Sequence, residues 1–370
     1  MGFPSESLEG RGQDDEFMAR IRRALDEWEL SGGEPTSSIL GNGAIEVLEA
    51  RVPKRLGVAH GLAVPSGTLA LRTALLAVGV GHDDDVIVPA YDWIASSAAV
   101  RSVGAVPVAV DVTLPDCFLD PEAVARAIDT RTRAVVAAHL FGVPGDVPAI
   151  REICDQLGIP VIEDVAQAFG AQLDGQPVGS LAAAAAVSFG PGKVLDGGGG
   201  GMLVTNREDI WRRAVELSQH PTRQLLAGIP EPNLAVLEAR IYPVAALVVL
   251  AGLDRLDARL AERRGAIEAV SRIVAGVPGV EIPTDFSRRS CVGPGLLIRV
   301  SDRRCLGRMD ALGLVVARPA RQQLISDGLA IHRVPTPMAE RAPKEVVCLI
   351  PKNSGGIKRR VDERGKWLQD

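Results

Sequence analysis

The sequence predicts an α/β fold: a mainly parallel sheet with helices on both faces, followed by a smaller C-terminal α+β domain. Three observations carry this. From about residue 60 to residue 165, short apolar runs alternate with helical patterns, the βαβα order of an open parallel sheet. The loops that follow those runs carry Gly, Ser, Asp and an aromatic pair, and ligands collect at the carboxyl ends of strands in doubly wound sheets. The 370 residues are 46% hydrophobic and 24% charged, which excludes disorder over most of the chain and suffices for one large domain and a smaller one.

Taken in order, residues 1–30 are expected to form a frayed polar start and a helix, with Met18, Ile21, Leu25 and Trp28 at helical spacing. Gly32, Gly33 and Pro35 end it, and a second helical pattern runs from Ala44 towards Leu56. The strand–helix series then comprises Gly61–Val64, Val86–Pro89, Val106–Val110, Val135–His139 and Pro160–Glu163. Helices are expected after Thr68, after Trp93, from Pro121 and from Val147. Ala185–Phe189 and Met202–Thr205 read as two closely spaced strands, so as an antiparallel pair. Helical stretches are predicted over about 207–220 and 234–275. Beyond Gly279 come a strand at Leu296–Val300, a helix from Arg304 to Leu312 and a strand at Leu314–Ala317. The expected division is an N-terminal arm (1–30), a large α/β domain (31–245) and a small C-terminal domain (246–370). No internal repeat is visible.

Composition removes several function classes. The formal charge of −5 leaves no broad basic field for nucleic acid. The longest apolar run, 241–253, is too short for a bilayer, which needs roughly 20 residues. The N-terminus has no apolar signal core. Cys117, Cys154, Cys291, Cys305 and Cys348 form no CxxC pair and are odd in number, which fits a reducing cytoplasm better than a disulfide framework or a zinc ribbon. The five His have no metal-ligand spacing. No GxSxG, Walker A loop or strand-borne GxGxxG is present.

Four pieces at strand ends can carry chemistry. Ser66-Gly67-Thr68 opens a helix, where unpaired N–H groups and hydroxyls suit a phosphate; the same Ser also serves as an ordinary N-cap. Tyr91-Asp92-Trp93 follows a strand, and Trp93 is placed either to lie on a ring ligand or to fill the core. Glu163-Asp164 ends an apolar strand; a carboxylate there needs a cation or donors, which a protonated ring nitrogen or a following turn supplies. Lys193, one of six Lys against 35 Arg, leaves a strand through Ser188-Phe189-Gly190-Pro191-Gly192. Desolvation there would free its lone pair for a carbonyl.

Together these pieces resemble the DegT/DnrJ/EryC1/StrS aminotransferase family, fold-type I enzymes dependent on pyridoxal 5'-phosphate (PLP). GHDDDVIVPAY (81–91) is similar to the family's GDEVIVP segment, and Gly104 to Val108 with Asp111 to its next strand. Glu163 to Ala171 resembles EDAAQAxGA, and Ser188-Phe189 with Lys193 resembles SFxxxK. The resemblance implies that Lys193 holds the cofactor covalently and shuttles a proton. Asp164 then keeps the pyridine nitrogen protonated, Gln167 contacts the ring hydroxyl and Trp93 stacks on the ring. Ser66, Gly67, Thr68 and Ser188 hold the phosphate. Asn233 matches the Asn that reaches a neighbour's phosphate, which implies a homodimer with shared sites. The chain departs from the family's GEGG, which is Gly198 to Gly201 here, and from its NYRM, which is Asn233-Leu234-Ala235-Val236. The dehydratase branch has His at the lysine position; Lys193 stands against it. The expected activity is amino transfer from L-glutamate or L-glutamine to a keto sugar, nucleotide-linked, or to a cyclitol ketone in specialised metabolism. The alternatives are other PLP chemistry on the same scaffold (dehydration/aromatisation, β-elimination or replacement) and a non-catalytic PLP-binding regulator. No Arg is assigned to the donor carboxylate; Arg223 and Arg240 are guesses.

Overall fold

The computed structural model describes residues 40–317 apart from 115, 237, 283, 284 and 310, together with 323–324, 331–332, 335–351 and scattered positions of 18–29. Its centre is an eight-stranded sheet. The strands in chain order are β1 (His60–Val64), β2 (Asp85–Pro89), β3 (Val106–Val110), β4 (Thr132–Ala138), β5 (Val161–Asp164), β6 (Ala184–Ser188), β7 (Gly201–Thr205) and β8 (Ile331–His332). Their spatial order is β1-β7-β6-β5-β4-β2-β3-β8. From β6 to β8 every neighbour pair is parallel; β7 alone runs against both its neighbours, β6 and β1. Thus β1 points the same way as β6, and the carboxyl ends of β1, β2, β4, β5 and β6 share one edge of the sheet.

The helices are α1 (Ala44–Leu56), α2 (Gly67–Ala77), α3 (Ala95–Ser102), α4 (Pro121–Ala127), α5 (Val147–Asp155), α6 (Glu208–Ser218), α7 (Pro221–Leu226), α8 (Pro243–Leu253), α9 (Leu256–Val274) and α10 (Pro337–Glu345). Strand side chains alternate between two cores, as the two-residue period demands. Leu62, Val64, Val86, Val88, Ala134 and Val136 face α2, α3 and α6. Ala63, Ile87, Val135 and Ala137 face α1, α4, α5 and α8. Both faces are covered, so the strands are apolar throughout, which is why they read as continuous runs. A third core gathers Ile267, Val270 and Val274 of α9 with the antiparallel strands Leu296–Val300 and Val346–Pro351, whereas Leu256 and Leu260 of α9 still pack in the large core. The changeover between cores therefore falls within α9. Asp111, buried after β3, accepts the Met338 and Ala339 N–H groups at 3.1 and 2.7 Å and so caps α10.

Two expectations need correction. The helix predicted over 234–275 is α8 and α9 only. Among the described residues, 233–241 is not helical, because Asn233 is held by Gln224 (its N–H donates to Oε1, 2.7 Å) and its own Oδ1 accepts the Ala235 N–H (3.0 Å), a turn that competes with helix. The helix predicted from Arg304 to Leu312 is a 3-10 segment, Arg303–Arg308, capped by Asp302. The helix expected before residue 30 falls on residues described only in part, and the chain beyond 351 lies outside the described residues. No helix among the described residues is long and apolar enough to cross a membrane.

Arg223, one of the two guessed carboxylate binders, is taken up structurally. It is buried, donates to Glu49 Oε2 at 2.5 Å and Gln219 Oε1 at 2.6 Å, and joins α7 to α1. Glu49 also accepts the Ala63 N–H at 2.8 Å. Burial pushes the Glu49 carboxyl up and the Arg223 charge holds it down. Breaking such a pair strands one charge in the interior, so Arg223→Ala is expected to lower unfolding stability by about 3–5 kcal/mol. A chemical-denaturation curve checks this; a change below about 1 kcal/mol contradicts the pairing.

Candidate active site

One cavity opens at the shared strand edge. Its wall comprises Ser66, Gly67, Thr68, Asp92, Trp93, Ala95, Ala138, His139, Leu140, Asp164, Ala166, Gln167, Ser188 and Lys193. The residues that the family resemblance assigned to the cofactor all line it except Asn233, which sits in the 233–241 segment; Tyr91 and Glu163, the neighbours of Asp92 and Asp164, do not.

At one end the chain leaves β1 and turns into α2. Ser66 has extended backbone and its Oγ accepts the Leu69 N–H at 3.2 Å, so it is an N-cap and a cavity residue together. Gly67 lies against Ser188: a Cβ at 67 would stand 2.8 Å from the Ser188 Cβ. Glycine is thus required for the α2 start to seat on the end of β6. The result is a helix N-terminus with free N–H groups and the hydroxyls of Ser66, Thr68 and Ser188 beside it, an arrangement suited to an anion.

At the other end stands Asp164, the last residue of β5. Its Oδ1 accepts the Ala166 N–H at 2.8 Å. Burial pushes its carboxyl up, partly offset by that N–H and by the Lys193 charge. Lys193 is in the opposite condition: desolvation lowers its ammonium, partly offset by Asp164 and Asp92. A lowered lysine holds more free amine near neutral pH. Its loop is braced by Asp196, which accepts the Gly192 N–H (2.7 Å) and the Gly198 N–H (2.9 Å), on either side of Lys193.

Between the ends, Gln167 turns its Oε1 to the Phe141 N–H (2.9 Å), which leaves the amide NH2 for the cavity. Trp93 is 37% exposed and walls one side rather than filling the core. His139 also lines the cavity, on a fully buried frame. Its Nδ1 accepts the Gly145 N–H at 2.9 Å, which places the ring proton on Nε2, donated to Glu163 Oε2 at 3.0 Å. Glu163 also accepts the Gly179, Leu181 and Ala182 N–H groups at 2.8, 2.8 and 3.1 Å. Of the two acids ending β5, one is therefore saturated by donors and structural, and the other faces the cavity.

Sequence reasoning missed Asp92 as a site residue. The signal was present: an acid directly after a strand, with Ser four residues on at a helix start.

The sequence pattern of the DegT/DnrJ/EryC1/StrS aminotransferase family matches residues 32–317. This chain belongs to that family. The DegT-type chain is 42% identical over 211 residues to the UDP-N-acetyl-3-dehydro-alpha-D-glucosamine 3-aminotransferase of Acidithiobacillus ferrooxidans, covering 57% of this chain and 55% of that protein. It therefore spans little more than half the length of that relative. It is 34% identical over 275 residues to the 3-amino-5-hydroxybenzoate synthase of Amycolatopsis mediterranei, covering 72% and 67%. The crystal structure of Streptomyces venezuelae DesV, in complex with a ketimine intermediate, superposes with a TM-score of 0.75 at 31% identity over 92% of this chain and 90% of that one.

The cofactor of the DegT family is pyridoxal 5'-phosphate. The cavity fits it: a buried carboxyl for a ring nitrogen at one end, a helix start with hydroxyls for a phosphate at the other, a desolvated amine between them and an indole along the side.

Proposed function

We propose that this chain is a PLP-dependent aminotransferase. It takes an amino group from L-glutamate or L-glutamine and delivers it to the ketone of a nucleotide-linked keto sugar or a cyclitol, in specialised metabolite biosynthesis. The observation that carries the reading is the meeting of Lys193 and Asp164 in one buried cavity whose far end is the α2 N-terminus. When bound, PLP supplies a carbonyl that condenses with amines and a ring that accepts electron density from the carbon losing its proton.

The chain's own residues do the rest. Lys193, with its ammonium lowered by desolvation, would present a free amine to the cofactor carbonyl and would take and return the substrate proton. Asp164 holds a proton on the ring nitrogen. Gln167 donates its amide NH2 to the ring hydroxyl. Trp93 covers one ring face and keeps water from it. Ser66, Gly67, Thr68 and Ser188 seat the phosphate. The sugar acceptor is supported by the Acidithiobacillus relative.

Two copies are expected to share their sites, with Asn233 of one reaching the phosphate held by the other. Exposed apolar residues on this stretch, Leu226 (70%) and Leu234 (79%), support a covered surface there. The five cysteines, all buried and none in a disulfide, accord with a cytoplasmic setting.

The 3-amino-5-hydroxybenzoate synthase relative favours one second reading, dehydration with aromatisation of a cyclic aminoketone precursor on the same Lys193–Asp164 pair. A panel separates them. The PLP-loaded protein is given L-glutamate, L-glutamine and other donors, and 2-oxo acid release is followed by mass. A nucleotide keto sugar or a cyclitol ketone is then added. Amino transfer predicts 2-oxo acid release and an aminated acceptor. PLP retention with no 2-oxo acid from any donor contradicts it and favours the second reading.

A further inference from the structure

We propose that Asp92 is a positioning residue of this site that holds a proton: with the cofactor in place Asp164 is the ionised carboxyl, and Asp92 is the neutral one that fixes the Trp93 turn. The inference rests on the reading of the cavity as the PLP site.

The geometry comes first. Asp92 ends the two-residue strand Tyr91–Asp92, which leaves β2 and pairs with Gln323–Leu324. It is 1% exposed and lines the cavity. Its Oδ1 accepts the Trp93 N–H at 2.7 Å and its Oδ2 lies 2.5 Å from the Ser96 Oγ. One carboxyl therefore spans the whole turn, from the strand to the first turn of α3, and sets the backbone of Trp93. The 2.5 Å contact is at the short limit of O–H···O distances, within which the Ser96 hydroxyl or a protonated carboxyl can be the donor. A neutral Asp92 can donate from Oδ2 to Ser96 while Oδ1 still accepts from Trp93.

Charge decides between the two carboxyls. The charged groups that act on Asp92 are Asp164 at the end of β5 and Lys193 in the loop after β6. Of the helix packed against its strand, α10, Glu340 and Lys344 are exposed, and Arg341 and Glu345 pair with each other at 2.6 Å. His139, the remaining titratable residue of the cavity wall, gives its Nε2 proton to Glu163. Two buried carboxyls thus face one lysine. Burial and then the charge of Asp164 push Asp92 up to about 8, against the pull of Ser96, Trp93 and Lys193. A ring nitrogen bearing a proton supplies Asp164 with its own cation. An amine engaged by the cofactor carbonyl would no longer be an ammonium facing Asp92, and a lone buried anion is the costlier state. The environments of the two acids are thereby pushed apart.

The test is cofactor affinity against pH. PLP is titrated into the protein from pH 6 to 9.5, with affinity read from the cofactor's absorbance, for wild type and Asp92→Asn, the neutral near-isostere. Below pH 7.5 the two are expected to agree within about threefold. Above about 8 the affinity of wild type should fall relative to Asp92→Asn, by up to tenfold per pH unit, because binding then requires proton uptake at Asp92. A second readout uses wild type alone. The infrared band of a protonated carboxyl should be present in the PLP-loaded protein at pH 7 and titrate with a midpoint at or above about 8. A tenfold loss of affinity in Asp92→Asn at pH 7, a flat ratio through pH 9.5, or the absence of the band at pH 7 overturns the proposal. A wild-type protein that does not take up PLP at all contradicts the cofactor reading itself, so the two failures are distinguishable.

Discussion

Lys193→Ala is expected to abolish covalent retention of PLP and to reduce turnover by about 1000-fold or more, the upper range for loss of a positioned proton-transfer group. The fold should survive, for a reason visible in the site. Lys193 is desolvated, its charge is only partly offset by Asp164 and Asp92, and it donates no side-chain hydrogen bond recorded among the described residues. Removing a desolvated amine relieves its own burial cost, while Asp164 and Asp92 lose their shared cation and take up protons instead, so the two effects oppose each other. The melting temperature of the apoprotein should therefore change little, while the protein no longer keeps its yellow cofactor through dialysis. Its loop stays braced by Asp196, which contacts backbone N–H groups and not the lysine side chain. Activity near the wild-type level in this variant contradicts the assignment; a collapsed melting temperature contradicts the account of the loop.

Asp164→Asn is the second large effect. An amide keeps the shape and the Ala166 contact but cannot carry the charge that holds a proton on a ring nitrogen. Turnover is expected to fall by about 100- to 10000-fold, and PLP to be held less tightly. A further consequence has a definite sign. The Asp164 charge raises Lys193. Without it the lysine ammonium is lowered further, so the free amine appears at lower pH, and the pH profile of PLP capture should shift towards acid. The measurement is the rate of absorbance growth on adding PLP to apoprotein at several pH values. An alkaline shift, or none, contradicts the coupling between β5 and the Lys193 loop.

Much of this was legible in the sequence because both faces of the sheet are covered. Continuous apolar runs such as Ala134–Ala138 then mark strands, and the residues just after them mark one edge. The lysine stood out because so few lysines compete with it. What was not legible depended on partners distant in sequence. Helical spacing after Asn233 is overridden by Gln224, nine residues away. Arg223 looked like a helix-surface charge until Glu49, 174 residues earlier, met it in the interior. Glu163 and Asp164 are adjacent and chemically alike. Only the backbone N–H groups of Gly179, Leu181 and Ala182, brought to the end of β5 by the fold, make the first structural and leave the second for the cavity. Asp92 was hidden for a similar reason, since its strand is covered by α10 and by Gln323–Leu324, both more than 200 residues away.

The most direct test of the central claim is a mass measurement. Protein isolated with vitamin B6 is reduced with borohydride, digested and mapped. The account predicts a phosphopyridoxyl group on the peptide carrying Lys193, and none after Lys193→Ala. An adduct on another of the six lysines, or no adduct in protein that is folded and supplied with PLP, contradicts it.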